Sequence, residues 1–180
     1  GTGMIRTTLT AMPNRVAVLA AKAIVVAGWA LVAGIVGVLG STLLGQFMLP
    51  GKGFTPANGY MSLALSDAGM LRAAFGSVLY LVLIALLSLG IATAVRDSAA
   101  GIGVVLGLLF AFPIALVMVS NPHWHRHLEQ IAPMNAGMEI QATIDLHGLP
   151  LSPWAGLGVL GLWAAGALIL GALVLQLRDA

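Results

Sequence analysis

Three histidines alternate in His123-Trp124-His125-Arg126-His127. Imidazole nitrogens bind zinc or copper, and local structure decides which of the three could act together. In a strand all three share one face, whereas in a helix only His123 and His127 pair. The alternative is a polar, interfacial helix that needs no ion, and no metal site is assigned. Asp145 and His147 stand nearby, but a loop pair without a neighbouring nucleophile points to no catalysis. Ser62, Ser66 and Ser88 lie in no Gly-x-Ser-x-Gly elbow. Cysteine is absent, which removes thiol nucleophiles, thiolate metal sites and disulfides. No Gly-x-x-x-x-Gly-Lys-Ser/Thr phosphate loop occurs either. The chain is read as no enzyme, and no cofactor is assigned.

The elements that would position these residues are set by hydropathy. Mean hydropathy is +1.02 and only 8% of residues are charged, against about 25% in a soluble domain. So little charge cannot cover 180 residues in water, and the lipid bilayer is the natural solvent. Four runs approach or exceed the roughly 20 residues that span a bilayer as helix: about 22–49, 72–95, 99–120 and 153–177. The first, about 40 Å long as helix, must tilt or project. No cleavable signal peptide is expected, because that run is too long and lacks a cleavage pattern. The predicted fold is an all-α membrane protein with four transmembrane helices. A short amphipathic helix within 3–15 precedes them, and outer segments 50–71 and 121–152 connect them.

Lys and Arg set the topology. With the N-terminus inside, Arg6, Arg15, Lys22, Arg96 and Arg178 are cytoplasmic, and Lys52, Arg72 and Arg126 lie outside. Both termini of the given chain then face the cytoplasm. Eight basic residues spread along the chain make no patch, so nucleic acid is not an expected partner. Arg96-Asp97-Ser98 is so short that the flanking helices are antiparallel neighbours, with Asp97 or Ser98 as the cap. In 121–152, two short helices are expected over 124–131 and 136–144, broken at Pro133. Ser152-Pro153 reads as a helix start.

Within the spans, small residues recur four apart at Gly37, Ser41 and Gly45, at Gly103 and Gly107, and at Gly161 and Ala165. Such spacing allows close helix packing, although an Ala- and Gly-rich chain also produces it by chance. Pro113 is expected to bend the third span. No Asp, Glu, Lys or Arg falls in a span interior. Ion-coupled carriers usually keep such groups there, so active transport would draw its energy from another chain.

Ahead of the first span, Ile5, Leu9 and Met12 share one helical face, with Arg6, Thr7 and Thr10 elsewhere. Pro13 breaks this helix. A second segment from Arg15 runs into the span, with Lys22 placed to snorkel. An ordinary amphipathic anchor would read the same way.

Several segments, taken in order, carry a resemblance. They are Gly3-Met4-Ile5-Arg6-Thr7-Thr8-Leu9, Pro13-Asn14-Arg15, Leu19-Ala20-Ala21-Lys22-Ala23 and Arg96-Asp97-Ser98-Ala99. Pro133-Met134-Asn135-Ala136-Gly137, Leu151-Ser152-Pro153-Trp154-Ala155-Gly156 and Leu177-Arg178-Asp179-Ala180 follow. Together they resemble the permease of a type-2 ABC exporter of the actinobacterial type, across the whole chain. The resemblance implies a six-helix permease whose last four helices are seen here, with two more before Gly1. The internal position of Met4 agrees with a start further upstream. It also implies that Ile5, Arg6, Thr7, Thr8 and Leu9 form a coupling helix against a separate ABC ATPase subunit. Pro133, Asn135, Gly137, Ser152 and Pro153 would belong to an outer gate region. A second permease copy or paralogue and the lipid bilayer complete the implied partners, in a bacterial cell membrane. Exported cargo in such systems is lipophilic compounds, lipids or polysaccharides.

The expected function is therefore the membrane-spanning subunit of an ATP-driven exporter. A non-transporting four-helix anchor or assembly protein is the alternative, and a secondary transporter is a third reading.

Overall fold

The computed structural model describes residues 15–53, 67–95 and 97–177, and no strand occurs among them. Helix α1 covers Arg15–Met48 and is followed by a 3-10 turn, Pro50–Lys52. Helix α2 is Ala68–Val95 and α3 is Ser98–Met118. Two short helices follow, α4 (Pro122–Ile131) and α5 (Pro133–Met138), then a 3-10 turn at Glu139–Gln141 and α6, Pro153–Leu177. Four of these helices, α1, α2, α3 and α6, are long and apolar enough to cross a membrane. The expected helix 3–15 lies outside the described residues.

Lipid offers no partner to a backbone amide, so a spanning segment must satisfy its own groups, as a helix does. The hydroxyls on the spans follow the same rule. Ser77, Ser88 and Thr93 each donate to the carbonyl four residues earlier, at Ala73, Ile84 and Leu89. Thr42 does likewise toward Val38. No such hydroxyl demands a polar neighbour from another helix.

The starts of α2 and α3 are set by side-chain caps. Asp97 accepts from the Ala100 amide at 2.7 Å and so starts α3, which makes Asp97 the cap of the short turn. Asp67 accepts from the Gly69 amide and starts α2, four residues ahead of the expected boundary. α1 passes through Lys22 unbroken, and its 34 residues extend about 51 Å. Pro113 lies inside α3, which continues past it to Met118.

Among the spans, α2 and α6 form the most extensive pairing. Their common core holds Leu87, Leu160, Ala164 and Ala167, with Leu83, Ile84, Leu108 and Trp163 packed around it. Near their N-termini, Gly76 of α2 and Gly156 of α6 both meet the α5 segment, and further along Gly90 meets Gly171. The two helices therefore run in the same direction. α1 packs on α2 where Gly34 faces Val78 and Leu81.

Six of the small residues that the four-residue spacing picks out face no close neighbour or are exposed. A Cβ at Gly37, Gly103, Gly107 or Gly161 would meet nothing within 4 Å, and Ser41 and Ala165 are exposed. Among the described residues, close approaches between elements occur at Gly76, Gly90, Gly137, Gly156 and Gly171. Four-residue spacing reports what a helix face could allow; which face meets a neighbour is fixed by chain connections and crossing geometry.

Candidate functional site

At the end of the bundle where α2 and α6 begin, residues 121–152 form a cap that sits between the two helices. Asn121 accepts from the His123 amide at 3.0 Å, and Pro122 occupies the first turn, so α4 starts where proline is tolerated. Ala132 separates α4 from α5, with Pro133 opening the second helix. The break thus falls one residue before the proline, because proline lacks the amide that would continue α4 but suits a first helical turn. The second short helix starts at Pro133 rather than at 136, and it closes in the 3-10 turn Glu139–Gln141.

This segment is buried where the spans are closest to it. Ala132, Ala136 and Ile140 have no exposed surface, and Pro133 and Gly137 are buried too. Their repeat places them along one side of α5 and its 3-10 extension, against the openings at Gly76 of α2 and Gly156 of α6. Ile140 occupies the space a side chain at Gly76 would need. The Ala136 carbonyl rests against Gly156, and Gly137 admits Leu160 and the Tyr80 ring, each 2.9 Å from a built Cβ.

Polar contacts fasten the cap to the spans at two points and tie it together internally at two more. Trp163 Nε1 donates to the Ile131 carbonyl at 2.9 Å. Trp163 follows Pro153 by ten residues, so this bond holds the α4–α5 break about 15 Å along α6. Phe112 of α3 meets the same indole edge to face, with centroids 6.1 Å apart. Gln130 donates to the Pro150 carbonyl at 3.0 Å. The Leu151 amide donates to Glu139 Oε2 at 3.0 Å. Arg72 donates through Nη2 to the Ala142 carbonyl at 2.5 Å. Burial raises the Glu139 carboxyl pKa, the Leu151 amide opposes that shift, and the nearby Glu129 charge adds to it.

Of the residues assigned in sequence to a gate, Pro133, Gly137 and Pro153 are buried in this seam, Asn135 is half-buried and Ser152 is exposed. The Ser152 carbonyl accepts from the Gly156 amide and so opens α6. Ile5, Arg6, Thr7, Thr8 and Leu9 lie outside the described residues. Trp163 and Tyr80 both pack on the cap, and Trp163 also lines the groove beneath it. Glu139, Gln130 and Arg72 went unassigned because their partners are backbone groups far along the chain, which no local pattern reveals.

Below the cap, α2, α3 and α6 enclose a groove of about 490 Å³, lined by apolar side chains that include Leu87, Ile91, Leu108, Trp163 and Leu170. On the other side of the cap, α4 carries His123 and His127 on one face, and His125 faces Glu129 at 3.7 Å. No group of three or more His, Asp or Glu side chains among the described residues is placed to hold a metal ion.

No family model, no curated protein and no solved structure matches the chain.

Proposed function

We infer that the chain is the membrane-spanning permease subunit of an ATP-driven exporter, working with a separate ABC ATPase and a second permease. The observation that carries this reading is the seated cap. A helical segment held about 15 Å along α6 can close one end of a path between spans, whereas a simple four-helix anchor has no use for one. The resemblance of the ordered motifs supports the same reading, and the distribution of Lys and Arg favours a cap outside the cell with both termini of the given chain in the cytoplasm. The apolar groove beneath the cap suits a lipophilic cargo.

In this reading Ile5 and Leu9 seat a coupling helix on the ATPase, and Arg6, Thr7 and Thr8 contact it. Replacing Ile5 and Leu9 together by Asp tests it, with ATPase co-purification and transport as readouts. Loss of both supports the assignment. Unchanged association and transport would leave the anchor reading in its place, as would the lack of any ATPase gene beside this one.

A further inference from the structure

On the face of α4 turned away from the seam, two imidazoles stand in an arrangement that cap packing does not use. His123 and His127 are four residues apart and share a face of α4. Their Nε2 atoms are 3.3 Å apart. The ring centroids are 4.4 Å apart and the planes meet at 73°. Because the centroids are farther apart than the nitrogens, the rings converge on their Nε2 atoms. Two nitrogens bound to one tetrahedral ion at about 2.0–2.1 Å would stand about 3.3 Å apart.

The helix that carries the pair is anchored at both ends. Asn121 caps the first turn of α4, and Trp163 holds the carbonyl at its end. Both rings are exposed, and they border an open concavity of about 690 Å³ with Ser120, His125, Arg126 and Glu129. His125 is held toward Glu129, 3.7 Å away, so it does not join the pair.

We propose that His123 and His127 form a two-imidazole chelate for a late transition ion, Zn²⁺ or Cu²⁺. Nitrogen donors select such ions over Mg²⁺ and Ca²⁺, which take oxygen ligands. Two ligands leave further coordination positions for water or an incoming group. Without an ion, one Nε2–H donates to the other Nε2. On binding, that ring moves its proton to Nδ1, so both Nε2 lone pairs face the ion and no net proton is lost. Arg126 and the positive end of the α4 dipole oppose a cation here, while Glu129 lies within the same concavity and favours one.

The test uses the chain in detergent micelles, free of any histidine tag, titrated with Cu²⁺ and followed by pulsed electron paramagnetic resonance. One equivalent bound through two imidazole nitrogens, displaced by Zn²⁺, is expected. His123→Ala and His127→Ala each lower affinity at least tenfold and leave a single-imidazole signal, and His125→Ala leaves affinity unchanged. Circular dichroism of each variant confirms that the helices are intact. Equal losses in all three variants, or a wild-type affinity no tighter than that of the His123→Ala/His127→Ala double variant, would overturn the proposal.

Discussion

Gly171 lies against the backbone of Gly90: a Cβ added at Gly171 would stand 2.8 Å from the Gly90 carbonyl oxygen. The reverse substitution fails as well, since a Cβ at Gly90 would stand 2.6 Å from the Leu168 nitrogen. Both obstacles are backbone, which cannot swing aside as a side-chain end can. Gly90→Ala or Gly171→Ala is expected to cost about 1–3 kcal/mol through overpacking. Gly103→Ala and Gly107→Ala, which face open space, are expected to be neutral or to stabilise by up to about 1 kcal/mol, because alanine favours helix. Equilibrium unfolding in mixed micelles distinguishes the two pairs.

The cap is held partly by one indole. Trp163→Phe keeps the ring and removes the donor to Ile131, at an expected cost of about 1 kcal/mol. The loss is local, so amide exchange should quicken over Pro122–Ile131 and Pro133–Met138 while the core of α2 and α6 stays protected. Gly156→Ala acts more strongly at the same place, because its Cβ would displace the Ala136 carbonyl.

Burial of Glu139 gives the cap a pH dependence. Its folded-state pKa is raised above 4.5, chiefly by desolvation. A raised carboxyl pKa means the folded cap holds the proton more tightly than the open chain does. The stabilising contribution is fully present below about pH 4.5 and is lost as pH rises through the folded value. The stability curve of Glu139→Gln should be flatter than that of the wild type over the range just above pH 4.5. An identical slope in the two proteins would contradict this account.

Leu87 and Leu160 are fully enclosed. In lipid the transfer of a leucine to its surroundings gains little, so truncation costs mainly the packing lost around the cavity. Leu87→Ala and Leu160→Ala are each expected to destabilise by about 1–3 kcal/mol. Leu170→Ala, at 60% exposure, should change stability by less than about 0.5 kcal/mol.

The sequence by itself determined the four apolar helices. Each run is long enough to span a bilayer, and a continuous apolar segment of that length satisfies its own backbone groups in lipid as a helix, whereas barrel strands are about half as long and alternate in hydropathy. It also determined the helix start at Pro153 and the pairing of His123 with His127, and it narrowed the α3 cap to Asp97 or Ser98, because caps and same-face neighbours depend on residues within four positions. Tertiary structure alone decided which glycines matter. Gly90 and Gly171 are no more conspicuous in sequence than Gly103 and Gly107, yet only the first two lie at a crossing. The seating of the cap was equally hidden. Ile140 fills the notch at Gly76, Trp163 reaches Ile131, and Arg72 reaches Ala142 across 70 residues. Such contacts follow from where the chain returns in space, and periodicity along a single helix carries no record of that.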